Sequence, residues 1–134
     1  MKLYHGTPKR VKRLKPIQAK GYTDFQNLKA VFLTNNFQEA ALYTLGKGLK
    51  GITSFGVSNK LVILGHHKLK VGYVYEFDLD EKSLIIDKEK KDKNHYAIQR
   101  EITPIKIHKV KPEDYERLIQ MVNSKEELLK VLKQ

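Results

Sequence analysis

The feature that most constrains the fold is a strict alternation of side chains over residues 71–80. Its large apolar members are Val71, Tyr73, Tyr75, Phe77 and Leu79. Successive side chains of a strand point to opposite faces, so this period predicts a strand with one buried face. A strand of this kind needs hydrogen-bonded neighbours, and the chain must therefore build a sheet around it.

Shorter apolar segments predict the neighbours of this strand. Further strands are expected at residues 2–6, 30–34, 61–64, 83–87 and 101–110. Pro104 would place the last of these at a sheet edge or at a bulge. The glycine-rich residues 46–58 and the basic residues 8–23 are expected to form loops, the second with at most one helical turn.

Capping signals predict where the helices begin. Asn36 followed by Glu39 resembles a capping box, and the helix after it should end near Gly46. Two more helices are expected to close the chain, one with Pro112 in its first turn and one capped by Ser124. Strands outnumber helices between the two ends, which predicts an α+β domain with a mostly antiparallel sheet or split barrel.

Length and composition favour a single domain over residues 1–134. Hydrophobic residues make up 40% of the chain, enough for a core, and there are no cysteines. A disulfide framework and a thiolate metal site are therefore excluded. No apolar run reaches the length of a membrane span, so we expect a soluble, cytoplasmic protein without a membrane partner.

The net charge of +11 predicts an anionic partner or simply a well-solvated surface. A nucleotide, a nucleic acid and an acidic protein all fit the first interpretation. No arginine-rich tract or nucleic-acid module is present to favour nucleic acid among these partners. His66 and His67 are adjacent and would point to opposite faces of a strand, so no metal site is predicted.

Four short motifs follow one another along the chain. They are Leu3-Tyr4-His5-Gly6-Thr7, then Val31-Phe32-Leu33-Thr34 feeding a helix with Gln38-Glu-Ala-Ala-Leu-Tyr43, then Gly72-Tyr73-Val74-Tyr75, and finally Arg100-Glu101. Each motif is weak alone, but the ordered set resembles the ADP-ribosyltransferase superfamily. That superfamily includes poly-ADP-ribose polymerase catalytic domains and small rifampicin ADP-ribosyltransferases. The resemblance covers residues 3–110.

This resemblance implies a split antiparallel sheet with flanking and C-terminal helices, and NAD as substrate. The expected activity is transfer of ADP-ribose from NAD to an unknown acceptor, with release of nicotinamide, or hydrolysis of NAD. The acceptor could be a protein, a nucleic acid or a small molecule. The RNA 2′-phosphotransferases share the fold, but the arginine and histidine set that they use has no clear counterpart here.

The resemblance also implies a site. Its expected binding residues are His5, Gly6, Thr7, Phe32, Thr34 and Tyr43. His5 would bond the adenosine-side ribose, and Gly6 would let its backbone approach the nicotinamide amide. Tyr43 would stack on the nicotinamide ring, although its spacing from Phe37 also fits a core position. Glu101 would stabilise the oxocarbenium-like cation that forms on the ribose.

Two departures from the family pattern leave alternatives open. Phe32 stands where many relatives have tyrosine, which keeps the ring but removes the hydroxyl. The catalytic acid is Glu101 if the Arg-Glu pair sets the alignment, and Asp87 if distance from the Tyr75-Glu76 strand sets it. If neither acid reaches the site, the protein would be an inactive NAD or ADP-ribose-binding module. A basic nucleic-acid-binding domain is the third interpretation.

Overall fold

A computed structural model describes residues 1–21, 23–47, 49, 54–57, 60–88 and 94–132. The strands are β1 (Lys2–Thr7), β2 (Ile17–Gln18), β3 (Lys29–Thr34), β4 (Ser54–Val57), β5 (Lys60–Leu64), β6 (Gly72–Asp78), β7 (Ile85–Ile86), β8 (His95–Ile98), β9 (Lys106–Val110) and β10 (Ile119–Val122). The α-helices are α1 (Phe37–Lys47) and α2 (Lys125–Leu132). Short 3-10 helices cover Phe25–Asn27, Glu81–Ser83 and Pro112–Leu118.

The strands form two sheets within the described part of the chain. The larger sheet has the order β7-β8-β3-β1-β6-β9, with β2 paired to β3, and all its pairs are antiparallel. The smaller sheet has the order β10-β5-β4, in which β5 pairs with β10 in parallel and with β4 antiparallel. The prediction of an α+β fold with a mostly antiparallel sheet is confirmed.

The alternating strand lies inside the larger sheet as β6, between β1 and β9. Tyr75 and Phe77 on one of its faces are fully buried in a core with Leu3, Val31, Leu33, Ile98 and Ile102. Its other face, which carries Val74, packs against α1. The alternation predicted one buried face, but α1 covers the second face as well, so nearly every apolar side chain of β6 contributes to a core.

Two glycines bring α1 close to the sheet. A Cβ atom at Gly6 would lie 2.2 Å from the Ala40 carbonyl oxygen of the helix. A Cβ atom at Gly72 would lie 2.4 Å from the Thr44 hydroxyl oxygen. The absence of a side chain at these two strand positions therefore sets the distance between α1 and the pair β1–β6.

The predicted helix starts are confirmed at two places. The Glu39 backbone N–H donates to the Asn36 side-chain oxygen at 3.1 Å, which caps α1. The Glu127 N–H donates to the Ser124 hydroxyl at 3.2 Å, which caps α2. The segment after Pro112 is helical as expected, but it is a 3-10 helix that leads directly into β10.

Other sequence predictions are wrong in part. The strand expected over residues 101–110 is limited to β9, because Pro104 and its neighbours leave only an isolated bridge between Ile102 and Leu14. The strand expected over residues 83–87 is reduced to β7, after a 3-10 helix capped by Asp80. Within the expected loop 46–58, residues 54–57 form β4, and residues 48, 50–53 and 58 lie outside the described residues. The expected loop over residues 8–23 contains the short strand β2, and its described residues, 8–21 and 23, form no helical turn.

Candidate functional site

A cleft of about 1210 Å³ opens where β1 and β3 separate. The two strands are antiparallel neighbours, yet their register contains only the pair Tyr4↔Thr34. Beyond that pair, residues 5–7 of β1 and residues 30–33 of β3 both line the cleft. The volume exceeds the range of roughly 300–1,000 Å³ that is usual for small-molecule sites.

The expected binding residues converge on this cleft. His5, Gly6, Thr7, Phe32, Thr34, Tyr43 and Glu101 all contribute to its lining. They come from β1, β3, α1 and the segment between β8 and β9. Asp87 is not among the lining residues, and its side chain is buried beside β7. The structure thus brings one of the two candidate acids to the site and leaves the other elsewhere.

His5 bridges the gap between the separating strands. Its Nδ1 lies 2.6 Å from the Phe32 carbonyl oxygen. A carbonyl can only accept a hydrogen bond, so Nδ1 carries the proton and donates it. Burial lowers the pKa of His5, the bond to Phe32 opposes that shift, and the charge of Lys47 adds to the lowering. The ring is therefore neutral at pH 7, with Nε2 as a hydrogen-bond acceptor.

Several of the expected site residues also have structural duties. The Thr34 hydroxyl accepts from the Asn36 N–H at 3.2 Å, which helps to start α1. The Thr7 hydroxyl accepts from the Lys9 N–H at 3.3 Å, which directs the chain out of β1. The Phe32 ring packs edge-to-face on Phe25, with centroids 5.6 Å apart. These contacts hold the cleft wall, whatever they offer to a ligand.

Tyr43 projects from α1 at the cleft and is not a core residue. Its side chain is 56% exposed, which excludes the core position that its spacing also allowed. The Lys47 ammonium lies 5.4 Å from the centre of its ring. An exposed aromatic face with a cation beside it can stack on a planar, electron-poor or anionic ligand.

Glu101 lies at the cleft on irregular backbone. Its side chain is exposed and follows β8 without belonging to a strand. The next residue, Ile102, forms reciprocal backbone hydrogen bonds with Leu14 at 2.9 and 3.0 Å. This bridge ties the Glu101 segment to the basic residues 8–23, which lie near the beginning of the sequence.

Sequence reasoning missed a second polar pair in the cleft. The His95 Nε2 contacts the Glu39 carboxylate, and both residues line the cleft. Glu39 was expected to close a capping box, but its carboxylate is directed to His95 on β8 instead. Only the pairing of β8 with β3 brings His95 there, through the register Thr34↔His95. No local sequence signal marks such a contact.

The described residues contain no group of three or more potential metal ligands. None of the helices in the described ranges is long and apolar enough to cross a membrane. Comparisons of the chain with protein-family models, with curated proteins and with solved structures find no match. The site must therefore be interpreted from its own chemistry.

Proposed function

We propose that this protein binds NAD in the cleft between β1 and β3 and transfers ADP-ribose from it, releasing nicotinamide. The observation that carries the proposal is the convergence of His5, Tyr43 and Glu101 on one cleft. These residues come from a strand, a helix and a loop that lie far apart in sequence. A carboxylate is the group that stabilises the oxocarbenium-like cation of glycosyl transfer, and the resemblance to ADP-ribosyltransferases implies an imidazole and an aromatic ring as the groups that hold NAD beside it.

His5 supports binding of the ribose. Because its Nδ1 donates to the Phe32 carbonyl, its Nε2 is the acceptor that a ribose hydroxyl can donate to. The lowered pKa of His5 keeps that acceptor available at neutral pH. Protonation would replace the acceptor by a second donor and would weaken this contact.

Tyr43 and Lys47 support binding of the rest of the molecule. The exposed ring of Tyr43 suits a stacked nicotinamide, and the positive charge of Lys47 in the same cleft suits the phosphates. Lys9, Lys12 and Arg13 also line the cleft, where they can neutralise the pyrophosphate. The donor set of the cleft therefore fits a dinucleotide along its length.

Glu101 supplies the negative charge for the chemical step. As the bond between the ribose C1′ and the nicotinamide nitrogen breaks, its electron pair neutralises the pyridinium, and the ribose becomes cationic. The Glu101 carboxylate stabilises that cation. A nucleophile, either water or an acceptor, then forms the new bond to C1′ and loses its proton to solvent.

A specific observation favours a second candidate, an inactive binding module. Glu101 is exposed and lies outside any strand, so fewer contacts restrain it than would restrain a residue within the sheet. In that case His5 and Tyr43 would bind NAD or ADP-ribose without turnover.

The experiment combines calorimetric titration of NAD with a nicotinamide-release assay. We expect saturable binding, and release that falls about 10²–10³-fold in Glu101→Gln with little change in affinity. Asp87→Asn is the matched acid control and should keep the wild-type rate per folded molecule, with folding checked by thermal melting. Binding without release identifies the inactive module. A chain that binds no NAD, or release that depends on Asp87 alone, contradicts the proposal.

A further inference from the structure

One wall of the cleft is formed by a basic segment, residues 9–20, which we term the cationic strap. Its positive residues are Lys9, Arg10, Lys12, Arg13, Lys15 and Lys20, all of them exposed. The first acidic residue of the whole chain is Asp24. The strap therefore carries positive charge with no acid of its own to neutralise it.

Backbone contacts anchor the strap along its length. The Tyr75 hydroxyl donates to the Lys9 carbonyl at 3.2 Å and accepts the Val11 N–H. Leu14 is bridged to Ile102, and the Ala19 N–H donates to the Leu28 carbonyl at 3.2 Å. The positive side chains thus project from a fixed backbone, which lowers the entropy lost when an anion binds them.

The charge in the cleft exceeds what NAD requires. Six cations line it, five from the strap together with Lys47, against the two carboxylates of Glu39 and Glu101. In the described ranges none of the strap cations forms an ion pair. The pyrophosphate of NAD bears two negative charges, and the cations assigned to NAD exceed that number, which leaves Lys15 and Lys20, together with Arg10 of the strap, for another polyanion.

We propose that a single-stranded nucleic acid lies along the cationic strap and is the acceptor of ADP-ribose. This inference rests on the proposed function. The phosphates of a strand can pair with the exposed cations of the strap, which also exposes Val11 and Ile17, at 41% and 73%. The faces of the bases can pack on the exposed Val11 and Ile17 side chains, a contact that acidic protein side chains do not make, while the Tyr43 ring holds the nicotinamide. A single strand is flexible enough to follow the strap and leaves its bases unpaired, so that an acceptor atom can reach the cleft.

The transfer step follows from that placement. A nucleophilic nitrogen or oxygen of the strand forms a bond to C1′ of the nicotinamide ribose. The C1′–nicotinamide bond breaks, its electron pair goes to the pyridinium, and neutral nicotinamide leaves. The proton of the acceptor atom goes to solvent, so no oxidant or further reactant is needed.

The test measures binding of fluorescent 20-nucleotide single strands, one DNA and one RNA, by anisotropy at several salt concentrations. Five phosphate contacts predict a slope of log K against log salt of about −3.5. The triple variant Arg10→Gln, Lys15→Gln, Lys20→Gln, which spares the strap cations assigned to NAD, should lose at least about tenfold in affinity at low salt, and its slope should be smaller by about 2. The matched control neutralises Lys68, Lys70 and Lys109, which are exposed and lie outside the cleft lining.

A second readout measures the transfer of labelled ADP-ribose to the strand. Nicotinamide release is measured in parallel without the strand. We expect labelling of the strand by the wild type and the control, and its loss in the strap variant while NAD hydrolysis persists. NAD turnover without strand binding overturns the inference and leaves the proposed function intact. Strand binding without NAD binding overturns the acceptor role together with the proposed function. Equal losses in the strap and control variants, or equal competition by polyglutamate of the same charge, also overturn it.

Discussion

The two edges of β1 differ sharply. Along the edge to β6, which we call the closed edge, six registered pairs run from Lys2↔Asp78 to Thr7↔Tyr73. Along the edge to β3, the open edge, the register holds Tyr4↔Thr34 alone and the cleft follows. One strand therefore serves as sheet interior on one side and as site wall on the other. The comparison teaches that this protein places its candidate site where strand pairing is given up, since unpaired strand edges leave polar backbone groups for a partner.

The largest expected effect is at Gly6, which pairs with Val74 across the closed edge and faces α1. Gly6→Ala places a Cβ against the Ala40 backbone, which cannot rotate away. We expect a loss of about 3 kcal/mol in the free energy of unfolding, measured by denaturant titration. Adding Thr44→Ala should not restore it, because the obstacle is main chain. A stable Gly6→Ala protein would show that α1 does not lie as close to β1 as described.

A smaller effect is expected at Gly72, which also faces α1 but meets the Thr44 side chain instead of main chain. Gly72→Ala meets the Thr44 hydroxyl and methyl groups at 2.4 and 2.7 Å. The expected loss in unfolding free energy is about 1.5 kcal/mol. In a Thr44→Ala background the same change should cost less than about 0.5 kcal/mol, which a double-mutant cycle measures. Simple additivity of the two substitutions would argue against this contact.

The open edge should respond to pH through His5. Its pKa is lowered in the folded protein, so below the unfolded value of 6.5 the unfolded chain binds more protons. Stability is thus retained above pH 6.5 and lost as the pH falls below it. Between pH 6.5 and 5.5 the wild type should lose more stability than His5→Gln, which cannot titrate, and the difference can reach at most about 1 kcal/mol.

Denaturant titrations at the two pH values provide that comparison. His5→Gln should also weaken NAD binding at pH 7.5 while the protein stays folded, if the open edge is the site. Parallel pH profiles for the two proteins would mean that His5 does not bridge β1 and β3 as a neutral ring.

The smallest expected effect is at the mouth of the cleft. Lys47→Gln removes the cation beside Tyr43, a contact between two exposed side chains. Such a contact contributes about 0.5 kcal/mol, so thermal melting should hardly change. The same substitution should raise the pKa of His5, because the charge of Lys47 lowers it. Titration of the His5 ring by NMR would detect that shift. An unchanged pKa would show that the charge of Lys47 does not act on His5.

Local signals predicted much of the framework around the cleft. The alternation of β6, the Asn36 cap and the apolar segments of β1 and β3 were each recognised within a few residues. Strands β8 and β10 were missed because they are short and are held by distant partners: β10 pairs in parallel with β5. Glu101 was assigned to a strand that Pro104 does not allow to begin until Lys106.

The site residues, too, fall into those that local signals predicted and those that only distant contacts place. The motif around His5 identified the end of β1, and the helix cap placed Tyr43 one turn beyond Glu39. The contact between Glu39 and His95 could not be foreseen, because it depends on the register of β8 against β3. The position of the basic segment beside the cleft likewise depends on Tyr75 and Ile102, which are distant in sequence.

By itself, the sequence determined which segments are strands or helices where period and caps are local, the excess of positive charge, and the residue types available for chemistry. Only the tertiary structure decided that β1 separates from β3, that Glu101 reaches the cleft and Asp87 does not, and that His5 is neutral. The reason is physical: side-chain period and capping act within a few residues, whereas strand register, burial and proton affinity depend on groups that folding brings together.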